Sequence, residues 1–215
     1  MHANWTKKDW IRHCLILLLG LIVMAFGVAF SIEANLGTSP ISSVPYAVSR
    51  FTPLTVGTAT IVMHCVFIVI QIAVLRKKYQ LIQLMQLPVA FFFGYLTDFG
   101  VWAVQGLPCV NYMQQWLACL VGILLVAIGV SMEVKAGVVV LAGEGVVLAL
   151  CQVIPKAKFG YMKVGFDVTL VAAACVLSLL FTGQVQGVRE GTVAAAVFVG
   201  LLAKQLGKLW DKMSV

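Results

Sequence analysis

Charge is scarce in this sequence. Only 11% of its 215 residues are Asp, Glu, Lys or Arg, and just 8 are acidic. A soluble domain of that length needs a charged surface, and this chain cannot build one. Histidine is rare too: His2, His13 and His64 are too dispersed for a metal site. The two aspartates inside apolar runs, Asp98 and Asp167, fall in different halves without the spacing of a catalytic carboxylate pair. No HExxH, GxSxG, phosphate-binding loop or glycine-rich dinucleotide loop occurs. The six cysteines have no CxxC or metal-ligand spacing and sit mostly in apolar runs, as small packing hydrophobes do. The expectation is a protein that is not an enzyme and carries no cofactor.

Apolar sequence is abundant instead. The chain is 61% hydrophobic, with a mean hydropathy of +1.01. Six apolar runs, roughly 14–32, 56–75, 84–104, 115–132, 163–182 and 190–208, are long enough for a bilayer core of about 30 Å. The expected fold is an all-α membrane protein with six transmembrane helices, residues 1–215 forming one polytopic domain. The first run is too long for a signal-peptide core, and no small-residue cleavage site follows it.

The net charge of +7 has a topological explanation. With the N-terminus inside and the helices alternating, only Arg50 and Arg189 of the 15 Lys and Arg lie outside. The positive-inside rule then puts both termini in the cytoplasm. Nucleic acid is not an expected partner, because its basic patch would cluster on one domain.

A phrase is written twice. Leu18 to Ala34 lies over Leu120 to Ala136 at an offset of 102, pairing Gly20 with Gly122, Ala25 with Ala127, Gly27 with Gly129 and Val28 with Val130. Val56-Gly57 matches Val164-Gly165 at offset 108, and Gly94 and Gly100 match Gly200 and Gly207 at offsets 106 and 107. These pairs predict two repeats of three helices, about 12–106 and 114–210. Three is odd, so the second copy enters from the opposite side. Inverted repeats of this kind are common in secondary transporters.

After each first helix comes a segment too short to span. Thr38-Ser39-Pro40 reads as a hydroxyl cap with proline at the first helical position; about ten residues follow before Pro53. The counterpart is Gly143 to Pro155. Each reads as a broken, re-entrant half-helix or as a loop with an interfacial helix. Broken helices free backbone groups, which hydrocarbon tolerates only beside a cavity or ligand. Free N–H groups at a helix start favour an anion.

Ionisable residues at membrane depth are functional candidates. Asp167 and Glu144 lead. Glu33, His64, Asp98 and Lys135 follow, with Thr38 and Ser39 at the first half-helix start. Glu33 and Lys135 are repeat-equivalent and opposite in sign, so they either pair across the pseudo-axis or each sits in headgroup water. Gln71 lies two turns from His64 on the same face.

Gly37-Thr38-Ser39-Pro40, Val56-Gly57-Thr58 and the helix Phe93 to Phe99, FGYLTDF, together resemble the YczE/YitT-like family of bacterial integral membrane proteins. The resemblance covers nearly the whole chain and implies a compact bacterial inner-membrane protein of largely uncharacterised function. The second half has VVVLAGEG in place of the G-x-S-P turn, a departure from two equal sites.

The leading expectation is a permease for a small polar or anionic solute, working by alternating access. One alternative is the substrate-binding membrane subunit of an ATPase-energised importer, docking through Gly20, Ala25 and Gly27. Another is a non-transporting accessory protein. The bilayer is a partner in every case, and spaced glycines on an apolar surface permit a homodimer. Reporter fusions at either terminus are expected to read cytoplasmic, and one in the loop near residues 105–110 periplasmic. The opposite pattern would reverse the orientation.

Overall fold

A computed structural model describes residues 6–213. They form α1 Lys7–Glu33, α2 Pro40–Ser49, α3 Val56–Leu75, α4 Gln86–Val104, α5 Tyr112–Ala136, α6 Ala142–Val153, α7 Phe159–Thr182 and α8 Glu190–Met213. Short 3-10 turns at Arg76–Lys78 and Leu81–Met85 join α3 to α4. No strand occurs among the described residues. Six helices (α1, α3, α4, α5, α7 and α8) are long and apolar enough to cross a membrane. α2 and α6, of 10 and 12 residues, are too short.

Local chemistry sets the boundaries. Thr6 caps α1 and forms a reciprocal capping box with Asp9. Thr55 caps α3 by accepting from the Thr58 N–H at 3.1 Å. α5 and α7 stop at Gly137 and Gly183, both left-handed at φ +60° and +71°. Pro155 bars α6 from continuing, because a residue before proline avoids helical backbone. α2 opens with Pro40 at its first position, as the sequence predicts. Ser39 stands at the cap position, but its hydroxyl bonds the Ser42 hydroxyl at 3.0 Å and not a backbone N–H.

The helices pack in two groups. In one, α1 packs on α5 and α4, and α5 packs on α8. In the other, α2 packs on α7 and α3, and α6 packs on α3 and α7. The extensive seam between the groups is α3 against α4. Half of the membrane stretch of α1 and of α5 is buried, against 17% for α7 and 11% for α8. α3 is buried to the same extent, so α1, α3 and α5 form the core, and α7 and α8 face mostly outward.

The α1–α5 contact is antiparallel and made of backbone. A β-carbon on Gly129 would stand 2.6 Å from the Gly20 carbonyl oxygen, and one on Gly122 would stand 2.8 Å from that of Gly27. In hydrocarbon, helices associate through this kind of close packing of small residues. Gly20, Ala25 and Gly27 are all buried in the core. That corrects the expectation that they form a docking face, because α5 already covers Gly20 and Gly27 and α4 covers Ala25.

Gly122→Ala is expected to lower stability by about 1–3 kcal/mol through overpacking, read as thermal unfolding in detergent. Gly160→Ala, where an added β-carbon meets nothing within 4 Å, is expected to change stability by less than about 0.5 kcal/mol.

Candidate functional site

A helix start leaves N–H groups with no partner inside the helix. The start of α6 is surrounded by polar side chains from four other helices, of which Glu133 accepts a leading N–H. Glu133 of α5 is 3% exposed, and its Oε1 accepts the Leu141 N–H at 2.5 Å. Gln71 of α3 is fully buried; its Nε2 donates to the Ala142 carbonyl at 3.1 Å and to Gln86 Oε1 of α4 at 2.9 Å. Gln86 Nε2 returns a bond to Gln71 Oε1 at 3.3 Å. Gly145 lets Gln71 reach this far, since a β-carbon there would sit 2.6 Å from Gln71 Oε1. On the other side, Lys163 Nζ of α7 donates to Asp167 at 2.6 Å and lies 3.9 Å from Glu144 Oε1. Glu133 and Glu144 are close enough for their charges to interact. One helix start thus gathers two glutamates, a lysine, an aspartate and two amides.

The start of α2 is built from hydroxyls and backbone. Gly37, at φ +96°, lets the chain turn back against Arg189 and Thr192. The Thr38 N–H donates to the Gly187 carbonyl at 2.9 Å, and its hydroxyl reaches the same oxygen at 3.3 Å. Arg189 Nη1 donates to the Asn35 carbonyl at 2.9 Å, and the Gly191 N–H to the Leu36 carbonyl at 2.8 Å. Ser43 returns its hydroxyl to the Pro40 carbonyl at 2.6 Å. The two short helices then meet at their first turns: the Ile41 side chain lies directly on the Gly143 α-carbon, leaving no room for a methyl group.

The candidates from the sequence divide accordingly. Glu144 and Asp167 come together through Lys163 at the α6 start. Thr38 and Ser39 lie buried at the α2 start. His64 is 1% exposed on α3, its ring edge-on to Phe67 and Phe93. Its Nδ1 has no hydrogen-bond partner among the described residues. Asp98 accepts the Thr55 hydroxyl at 2.6 Å and the Gly57 N–H at 2.7 Å, so it pins the start of α3 to α4. Glu33 and Lys135 end α1 and α5, which run antiparallel, so they lie at opposite ends of the pair and do not meet.

Glu133 is the residue that sequence reasoning passed over, together with Gln86 and Lys163. A signal was available, because Glu133 follows Gly122 and Gly129 on one helical face, eleven and four residues on. That face is the one turned to α1. Two apolar grooves lie elsewhere: one of about 610 Å³ beside α3 and α4, lined by residues such as Val62 and Tyr95, and one of about 390 Å³ along the start of α1. Neither contains the polar cluster. Among the described residues, no three His, Cys, Asp or Glu converge to hold a metal.

Fold and site define an all-α membrane protein with six apolar spans and two short helices that meet at their starts. Over residues 11–208 the chain matches DUF6198, described as a family of unknown function, and it belongs to that family. It is similar to the uncharacterized membrane protein YczE of Bacillus subtilis (strain 168), at 25% identity over 201 residues, 92% of this chain and 86% of YczE. It is also 25% identical over 118 residues to the uncharacterized protein YyaS of the same organism, 54% of this chain and 57% of YyaS. The chain thus matches little more than half the length of YyaS. No solved structure matches. The match to YczE agrees with the resemblance carried by Gly37–Pro40, Val56–Thr58 and Phe93–Phe99.

Glu133→Leu leaves the Leu141 N–H without its acceptor and is expected to destabilise by about 1–3 kcal/mol. Glu133→Gln keeps an acceptor oxygen and should lose clearly less. Thermal unfolding of the two variants side by side checks the order.

Proposed function

We propose that this protein is a secondary transporter of a small polar or anionic solute in the bacterial inner membrane, with both termini cytoplasmic. The proposal takes its three-helix halves as inverted repeats and α2 and α6 as re-entrant half-helices. The observation that carries it is the meeting of α2 and α6, first turn to first turn, with Ile41 on Gly143. Helix starts present partial positive charge, and paired broken helices are where such carriers place their solute.

Packing supports the repeat. Exchanging the halves turns α1 on α4 into α5 on α8, α2 on α7 into α6 on α3, and α2 on α3 into α6 on α7; each of these pairs is packed. The same exchange turns the Gly20–Gly129 approach into Gly122–Gly27.

The two starts differ in a way that assigns roles. At α6 an internal carboxylate, Glu133, already accepts the leading N–H. At the matching place of the first half stands Ser31, whose hydroxyl turns back to its own helix at the Gly27 carbonyl, 3.0 Å away. The reading therefore gives the solute's polar group to the α2 side and proton coupling to Glu133, with Glu144 beside it. An ATPase-docked subunit gains no support, since the small-residue face it would use is covered by α5 and α4.

Reconstitution into vesicles with a panel of small organic anions tests the reading. The wild type should move at least one of them faster under a proton gradient. Glu133→Gln should lose most of the response to the gradient while still exchanging solute. A folded protein that neither binds nor moves any member would overturn the proposal.

A further inference from the structure

The two halves are packed alike except at one pair of helices. In the first half α3 is sealed on α4: Gly57 and Gly94 lie backbone to backbone, and Asp98 bonds the Gly57 N–H and the Thr55 hydroxyl. The counterparts in the second half are α7 and α8, with Gly165 for Gly57 and Gly200 for Gly94. Those helices share no packed face among the described residues. A β-carbon on Gly165 or Gly200 would meet nothing within 4 Å.

Three further observations bear on this difference. The α3–α4 seam is the extensive contact between the two helix groups, so parting it frees one group to swing against the other. His64 is buried against Phe93 of α4 with an unpartnered Nδ1. A buried polar nitrogen without a partner is unfavourable, and opening the seam would give it water. On α8, Lys204 lies exposed one turn beyond Gly200 on the same face. A lysine inside a membrane span belongs beside water or a partner, not lipid tails.

We propose that the structure is one of two interchanging states. In this state the α3–α4 seam is closed and the α7–α8 seam is open, toward the side that carries both termini. In the other, α8 closes on α7 through Gly165 and Gly200 while α3 parts from α4 and His64 becomes hydrated. The exchange rests on the inverted-repeat reading above and supplies its alternating access.

The test uses the full chain in native membranes, with its six cysteines replaced. Oxidation of the G165C/G200C pair should give a cross-link within one chain. An I123C/A195C pair, whose residues share a packed cluster in this state, serves as a control. Gly94→Leu, which wedges the closed seam, should raise the G165C/G200C yield several-fold and raise labelling of H64C by a water-soluble maleimide. If Gly94→Leu fails to fold, Gly94→Ala is the smaller wedge, since any β-carbon there presses on Ile61. A control pair that cross-links while G165C/G200C never does would overturn the proposal. So would G165C/G200C cross-links found only between chains, which would give that face to a second copy. A within-chain cross-link in a protein that moves no solute would uphold the two states and remove the transport reading.

Discussion

Hydrocarbon cannot solvate a broken helix. That constraint accounts for the buried polar side chains around the two short-helix starts, Thr38, Ser39, Ser42, Ser43, Gln71, Gln86 and Glu133. α2 and α6 begin inside the helix bundle, and each start must find partners for N–H groups that water would otherwise satisfy. α6 borrows Glu133 for the Leu141 N–H, while Gln71, held by Gln86, donates to the Ala142 carbonyl. α2 borrows the Gly187 carbonyl and folds its own hydroxyls back on its backbone. These solutions tie together helices distant in sequence. They are also why a chain so poor in charge retains a buried glutamate at all.

The two solutions differ in strength. The Glu133 oxygen holds the Leu141 N–H at 2.5 Å, a shorter bond than the 2.9 Å from the Thr38 N–H to the Gly187 carbonyl. A carbonyl shared by the Thr38 N–H and hydroxyl is weaker and easier to exchange for another acceptor. The second half therefore has the fixed start and the first half the exchangeable one. The loop glycines make the exchangeable start possible, because Gly37 and Gly187 are both left-handed where Thr38 meets Gly187.

Much of the fold is legible in the sequence. Six spans and two short helices follow from apolar run length and from Pro40 and Pro155, which act locally. Glu144 and Asp167 stood out as charges at the edge of apolar runs, and the structure joins them. Lys163 was not singled out because a lysine near a span end reads as a topological charge; its pairing with Asp167 needs the fold of α7. Lys135, two residues on, is the repeat-equivalent of Glu33 with opposite sign, and the charge pattern alone points to it and not to Glu133. Facing direction, not charge pattern, distinguishes the two: Lys135 ends its helix, while Glu133 points into the bundle. Asp98 could be placed near a helix end, but its partners Thr55 and Gly57 lie on another helix, and no local pattern names them. The packing difference between α7–α8 and α3–α4 is equally invisible in sequence, because the paired glycines look the same whether or not anything touches them.

The glycine crossing of α1 and α5 has a consequence beyond packing. Gly20 meets Gly129 and Gly27 meets Gly122, so each helix offers its partner the same two positions of one shared pattern. An interface in which the same patch serves both sides is isologous, the kind that closes a two-fold dimer. Nothing in that contact requires its halves to be covalently joined. A three-span chain able to insert in either orientation could form it with a second copy of itself. Ser31 and Glu133 stand at one shared position of that crossing and differ there.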